Sequence, residues 1–176
     1  ATNKQVPIIA VIALIATIGL SSTSILVLLN NSLLMLALLG HIIARGQNWV
    51  DRHIGYDIGE VDGYRTDCSG FVSMSWDLGT SKTTSTLKDV SGNINKGDLQ
   101  PGDAIICEGM HVVLFGGWHN SSHFVCMEEA NHTTGTIKGP VPYPYWNNKD
   151  FSIPFVTTRF ADQFITFNIC IRNMTQ

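Results

Sequence analysis

One cysteine lies in a sequence context that favours a nucleophile. Asp67 and Ser69 are helix-capping residue types, and the apolar positions within residues 71–76 predict an amphipathic helix after them. Cys68 would then lie in the first turn, where free backbone N–H groups and the helix dipole favour a thiolate. Gly70 would allow another chain segment to approach the sulfur closely. The alternative is a buried structural cysteine, the common fate of an unpaired Cys.

Several short motifs accompany this cysteine in a fixed order. Tyr56 lies 12 residues before Cys68, Pro-Gly-Asp occupies residues 101–103, and His-Val-Val-Leu-Phe-Gly occupies residues 111–116. Their order and spacing resemble those of the NlpC family of cell-wall cysteine peptidases, whose core is shared by the CHAP amidases. The resemblance covers about residues 56–130, and it implies a papain-like fold with the nucleophile on a helix and the base on a facing strand.

The resemblance also implies catalytic roles. Cys68 would be the nucleophile, and His111 the general base that takes the thiol proton and later gives one to the leaving amine. A third polar group should orient the ring. His123 lies 12 residues after His111, as in the simplest NlpC pattern, whereas Glu129 and Asn131 resemble the Glu-x-Asn of CHAP amidases. Because an insertion lengthens the intervening hairpin, we expect Glu129 as the third residue with Asn131 supporting it, and His123 as the second choice.

The same resemblance suggests which residues surround the substrate. Tyr56 would line the groove, and Asp67 would either cap the helix or contact an amine of the substrate. Ser69 and Asn131 are the other expected substrate-binding residues. The backbone N–H of Cys68 would contribute to an oxyanion hole.

The elements that must position these residues follow from hydrophobic patterning. Residues 41–53 and 71–76 predict two helices, and short apolar or alternating runs predict about five strands. The expected strands are residues 104–107, 111–118, 123–130, 135–138 and 164–172. Two prolines exclude residues 141–146 from the interior of a sheet. Helices followed by consecutive strands predict an α+β fold with N-terminal helices packed on an antiparallel sheet.

The N-terminal part differs in composition from the rest. Residues 6–39 contain no charged side chain, and the apolar run of residues 6–29 is long enough to cross a bilayer. We expect a membrane-targeting segment, a signal peptide or an anchor, over residues 1–40 and an NlpC-type peptidase domain over residues 41–176. The alternative is a buried helix, which would here be apolar on every face. Four Asn-x-Ser/Thr sequons agree with export, so we expect the domain outside the cytosol, secreted or membrane-anchored.

Histidines and cysteines also raise the question of a metal site. His119 and His123 are four residues apart, but the Asn-Ser-Ser between them is typical of a turn, and no C-x-x-C pair is present. We therefore expect neither a metal nor a cofactor. Cys107, Cys126 and Cys170 fall in predicted strands, where buried apolar side chains are expected and a disulfide is the alternative.

Charge and composition narrow the class of partner. The 176 residues carry a net charge of −3 and only 14% charged side chains, so no basic field exists for nucleic acid. The sequence predicts a monomeric cysteine hydrolase that acts on peptidoglycan stem peptides, with membrane association through residues 6–39. The alternatives are a membrane-associated acyltransferase or lipid hydrolase of the same superfamily and a non-catalytic module that binds the cell wall.

Overall fold

The computed structural model describes residues 21–143 and 156–160. The predicted strand at residues 164–172, the apolar residues 6–20 and Cys170 lie outside the described residues.

The first described element is a single long helix. Helix α1 spans Ser22–Asp51, and the Ser21 side chain caps it by accepting a hydrogen bond from the Ser24 N–H. Its first half exposes large apolar side chains, whereas Ile42 and Trp49 in its second half are fully buried. The helix is long and apolar enough to span a membrane by length and composition. It therefore joins the apolar segment to the domain without a break at residue 40.

A small hairpin and a second helix follow. Strands β1 (Glu60–Val61) and β2 (Tyr64–Arg65) pair antiparallel. Helix α2 spans Cys68–Ser75, and every one of its residues is buried. The long connection after it contains two short 3-10 helices, at Leu87–Val90 and Lys96–Asp98.

Six strands form the main sheet, in the order β3-β8-β4-β5-β6-β7 with every neighbouring pair antiparallel. The strands are β3 (Ser91–Asn93), β4 (Ala104–Cys107), β5 (His111–Trp118), β6 (His123–Asn131), β7 (Gly135–Pro142) and β8 (Val156–Phe160). The bounds of β4 and β5 match the prediction, and the predicted α+β class is confirmed. Pro140 and Pro142 lie on β7, an edge strand of the described sheet, where a missing N–H is tolerated.

Two apolar clusters occupy the two faces of the sheet. Successive residues of β5 alternate between them, with Val112 and Leu114 in the first and Val113 and Phe115 in the second. The first cluster also contains the second half of α1 and most of α2. At Gly46 of α1 a Cβ would lie 3.2 Å from side-chain atoms of Met127, Phe71 and Ser75, so this glycine permits the close packing of the two helices on the sheet.

The Pro-Gly-Asp motif connects two strands through a buried ion pair. Asp103 is fully buried, and its two carboxylate oxygens each accept a 2.8 Å hydrogen bond from the Arg159 guanidinium on β8. The same carboxylate accepts from the Gln100 N–H at 2.6 Å and so closes the turn before β4. This bidentate pair holds β8 beside β4, on the side of the sheet away from β6.

Candidate active site

The turn before α2 places Cys68 at the first position of that helix. The Asp67 carboxylate caps the helix by accepting a 2.7 Å hydrogen bond from the Gly70 N–H. A Cβ on Gly70 would lie 1.8 Å from the Arg65 carbonyl oxygen, so only glycine lets the helix start this close to β2. Cys68 itself is buried, with 6% of its surface exposed.

The Asp67 carboxylate accepts hydrogen bonds from three groups. Besides the Gly70 N–H, it accepts hydrogen bonds from the Ser69 hydroxyl at 2.8 Å and from Arg65 Nε at 2.7 Å. Burial alone would raise the pKa of Asp67, but these hydrogen bonds outweigh it and lower the pKa. Of the two predicted roles of Asp67, the structure shows the helix cap, and Ser69 is part of the same cap.

His111, the first residue of β5, lies between the Cys68 sulfur and a carboxylate. Its Nε2 lies 2.6 Å from Glu128 Oε2, and the Cys68 side chain is near enough to the ring to shift its pKa. Burial lowers the pKa of His111, but the hydrogen bonds and charges of Cys68 and Glu128 outweigh it and raise the pKa to about 9. The imidazole therefore carries its proton at neutral pH, which favours a thiolate beside it.

The carboxylate on His111 is that of Glu128, whereas the sequence led us to expect Glu129 or His123. Near the hairpin turn Trp118 pairs with Phe124, but beyond a bulge Phe115 pairs with Cys126, one residue out of step. A shift of one residue moves every side chain of a strand to the opposite face. The bulge thus turns Glu128 to the face of His111.

A second group fixes the Glu128 side chain. Cys126 Sγ lies 3.4 Å from Glu128 Oε1 and donates to it, while Oε2 faces His111. Residues 126 and 128 share a face of β6 because side chains alternate along a strand. Burial, followed by the charge and hydrogen bond of Glu128, raises the pKa of Cys126, so this thiol stays protonated and can donate.

Glu129 points to the other face, toward the helices. It is fully buried, and its Oε2 is in hydrogen-bond contact with the Thr136 hydroxyl on β7. Its Oε1 has no hydrogen-bond partner among the described residues. Burial raises the pKa of Glu129 to about 7, and the nearby Asp67 carboxylate adds to this.

The side chains of His123 and Asn131 form their hydrogen bonds away from the His111 ring. His123 begins β6, beside the hairpin turn, and its Nδ1 lies 2.9 Å from the Ser122 hydroxyl. His111 begins the antiparallel partner strand, so roughly 20 Å of strand separates the two histidines. Asn131 accepts hydrogen bonds from the N–H groups of Thr133 and Thr134 and closes the turn between β6 and β7. Neither residue supports the His111 ring in this structure.

Tyr56 lies close to Cys68. Burial, and next the negative charges of Cys68 and Asp67, raise the pKa of Tyr56. Its ring packs edge-on against His132, with 5.0 Å between the ring centroids. The predicted groove residue is therefore near the sulfur, in the segment that precedes β1.

Comparison with known proteins gives matches among solved structures. No protein-family profile matches the chain, and no curated protein matches it in sequence. The P60 domain of an antigen from Mycobacterium avium subspecies paratuberculosis has a TM-score of 0.51 and 17% identity, over 70% of this chain and 95% of that domain. A hypothetical invasion protein of Mycobacterium tuberculosis has the same TM-score and identity, over 72% of this chain and 63% of that one. The peptidoglycan hydrolase RipB of Mycobacterium tuberculosis has a TM-score of 0.49 and 18% identity, over 70% and 65% of the two chains.

The chain has the P60 fold. This confirms the expected papain-like architecture of NlpC type, with a helix that begins at Cys68 packed against the sheet that carries His111. Within this P60 fold, Glu128 and Cys126 are the two site residues that the sequence analysis missed. The signal that identifies them is the alternation along β6, once the register with β5 is known.

Proposed function

We propose that the chain is a cysteine hydrolase that cleaves amide bonds in peptidoglycan stem peptides through a thioester acyl-enzyme. The observation that carries the proposal is the 2.6 Å contact of His111 with the Glu128 carboxylate, beside the Cys68 side chain at the start of α2. A thiol at a helix start, a protonated imidazole and a buried carboxylate in contact are the groups that acyl transfer by cysteine requires. The substrate class is supported by the resemblance of residues 56–130 to NlpC peptidases and by the P60 fold.

Each group has a definite task in this reaction. The Cys68 thiolate would attack the amide carbonyl carbon, and the His111 imidazolium would give its proton to the nitrogen as the C–N bond breaks. Water would then attack the thioester while His111 takes a proton from it. That step releases the carboxylic acid and restores the thiolate beside the imidazolium. Glu128 accepts from His111 Nε2 at 2.6 Å, which leaves Nδ1 as the ring nitrogen for the sulfur.

The helix start would also stabilise the tetrahedral intermediate. Cys68 is the first residue of α2, so its backbone N–H has no partner within the helix. Together with the positive end of the helix dipole, this N–H would face the oxyanion. The same helix start thus serves the nucleophile and the charge that develops on the substrate.

The location that we propose is outside the cytosol, with α1 as a membrane anchor or as the end of a signal segment. Leu29, Leu33 and Leu36 are each more than half exposed along the first half of this helix. Such a surface is unfavourable in water and favourable in a lipid bilayer.

Purified muropeptides with defined stem peptides test the activity. We expect the full chain to produce new amine and carboxylate ends, detected by mass spectrometry, and Cys68→Ala and His111→Ala to abolish them. His123→Ala is the matched control, because this histidine lies at the opposite end of the strand pair, and it should retain turnover. Absence of cleavage by the wild type, with muropeptide binding equal in wild type and Cys68→Ala, would identify a binding module instead. Transfer of an acyl group from a lipid thioester, without muropeptide cleavage, would identify the acyltransferase.

A further inference from the structure

Glu129 has no task in the reaction described above, although it is a fully buried carboxyl group close to the nucleophile. It lies on β6 directly after Glu128 and points toward the helices rather than toward His111. Among the described residues, the titratable groups whose charges act on it are Asp67 at the start of α2 and Tyr56 in the segment before β1, and Asp67 is itself paired with Arg65. Neither is a cation, so neither compensates a negative charge on Glu129.

The hydrogen bonds that Glu129 can form depend on whether its carboxyl group carries a proton. The Thr136 hydroxyl oxygen lies in contact with Glu129 Oε2 and 3.0 Å from the carbonyl oxygen of Ile54. A hydroxyl has one proton, and a carbonyl oxygen can only accept. If Glu129 is ionised, these two acceptors compete for that proton, and the described residues give the buried carboxylate at most one hydrogen bond because none of them contacts Oε1. If Glu129 is protonated, it donates to Thr136, and Thr136 donates to Ile54.

The protonated form is therefore the one that the surroundings favour. A buried carboxylate with one hydrogen bond, beside the negative charge of Asp67, is much more costly than a neutral acid in the same place. The raised pKa of Glu129, about 7, has the same cause.

We propose that Glu129 is a positioning residue that works as a neutral carboxylic acid, donating through Thr136 to Ile54 and so holding the segment that carries Tyr56 against the nucleophile. Two further contacts show that this segment rests on β7. The Thr136 N–H donates to the Ile54 carbonyl at 2.8 Å, and a Cβ on Gly135 would lie 2.4 Å from the same oxygen. Loss of the Glu129 proton breaks the side-chain link and places a second negative charge beside Asp67.

The proposed effect on turnover rests on the proposed hydrolase function, but the protonation state of Glu129 does not. The first measurement is therefore a carboxyl 13C NMR titration of the full chain, with the Glu129 signal assigned by its absence in Glu129→Gln. We expect a midpoint near pH 7. A midpoint near pH 4, as for an ordinary glutamate, would overturn the proposal whether or not the chain cleaves anything.

The second measurement is the pH profile of kcat/KM. We expect the wild-type value to fall by about tenfold for each pH unit above about 7. Glu129→Gln keeps a donor toward Thr136 but cannot ionise, so its decline should begin only near pH 9, where His111 loses its proton. Glu129→Leu, which has no donor, should be slower than Glu129→Gln at every pH.

Glu108→Gln is the matched control, because Glu108 is an exposed residue that pairs with Lys88. It should leave the profile unchanged. Superimposable profiles of wild type and Glu129→Gln would overturn the positioning role. If no substrate is cleaved, the carboxyl titration still decides the protonation state of Glu129. A failure of the hydrolase proposal is thereby separated from a failure of this one.

Discussion

At the scale of single residues, the chemistry of the site depends on which side chains carry a proton. His111 keeps its proton to about pH 9 because the Cys68 side chain and the Glu128 carboxylate, which lies 2.6 Å from Nε2, favour the protonated ring. Since its folded-state pKa lies above the ordinary value of 6.5, His111 stabilises the fold fully below that value. This stabilisation is lost as the pH rises from about 6.5 through about 9.

Removing the charge of Glu128 should move the proton equilibrium of His111. In Glu128→Gln the amide keeps the shape of the side chain but not its charge, so the pKa of His111 should fall. We expect kcat/KM for muropeptide cleavage at pH 8 to drop roughly 100-fold. Glu129→Gln, the same change one residue along, should instead extend the activity to higher pH. Equal effects of the two substitutions would contradict the assignment of Glu128 to the ring.

The neighbouring glutamates also show how far the sequence determines the site. The helix start at Cys68 and the strand start at His111 are predictable because each lies in a local pattern, the helix cap at Asp67 and the apolar run of β5. The third residue depends on the register between β5 and β6. A bulge between Phe115 and Trp118 changes that register by one residue. The strand sequences do not indicate which of the two strands contains the extra residue.

At the scale of elements, the close contact between α2 and β2 positions the nucleophile. Gly70→Ala would place a methyl group 1.8 Å from the Arg65 carbonyl oxygen, which is backbone and cannot rotate away. We expect the free energy of unfolding, measured by urea denaturation, to fall by about 3 kcal/mol. We also expect Cys68 to lose its contact with His111, so that activity is lost even in the molecules that fold.

Gly97→Ala is the matched control for that substitution. A Cβ there meets no atom within 4 Å, so the free energy of unfolding should change by no more than about 0.5 kcal/mol. A Gly70→Ala protein as stable as the Gly97→Ala protein would mean that α2 can shift away from β2 at little cost.

Two elements were harder to predict than the rest. Strand β8 carries Thr157, Thr158 and Arg159, and the first two are buried although polar. Its place is set by the ion pair with Asp103 and by hydrogen bonds from Thr157 and Thr158 to carbonyl groups of the segment that includes β3, so apolar alternation does not reveal it. The sequence analysis places a boundary at residue 40, which lies within helix α1. Large apolar residues occur on both sides of that position, but those before it are mostly exposed, whereas Ile42 and Trp49 after it are buried.

At the scale of the whole molecule, α1 fixes where the catalytic domain would stand relative to a membrane. Leu36 is 66% exposed, whereas Ile42 is fully buried in the domain core. Six residues of helix separate them, a rise of about 9 Å. If the exposed half spans a bilayer, as we propose, the domain must lie directly on the membrane surface, because the helix provides no flexible linker there.

Lysine substitutions along α1 test this arrangement, because its two halves should respond differently. Leu33 is 64% exposed, so Leu33→Lys should lower the partition coefficient of the full chain into phosphatidylcholine vesicles, measured by flotation, about 100-fold. The unfolding temperature of the domain should not change. Ile42→Lys places a charge in the core and should unfold the domain. Ala44→Lys, on an exposed position of the buried half, is the control that should change neither quantity. If Leu33→Lys lowered the unfolding temperature as much as Ile42→Lys, the apolar half of α1 would be packed on protein, and the bilayer would not be its partner.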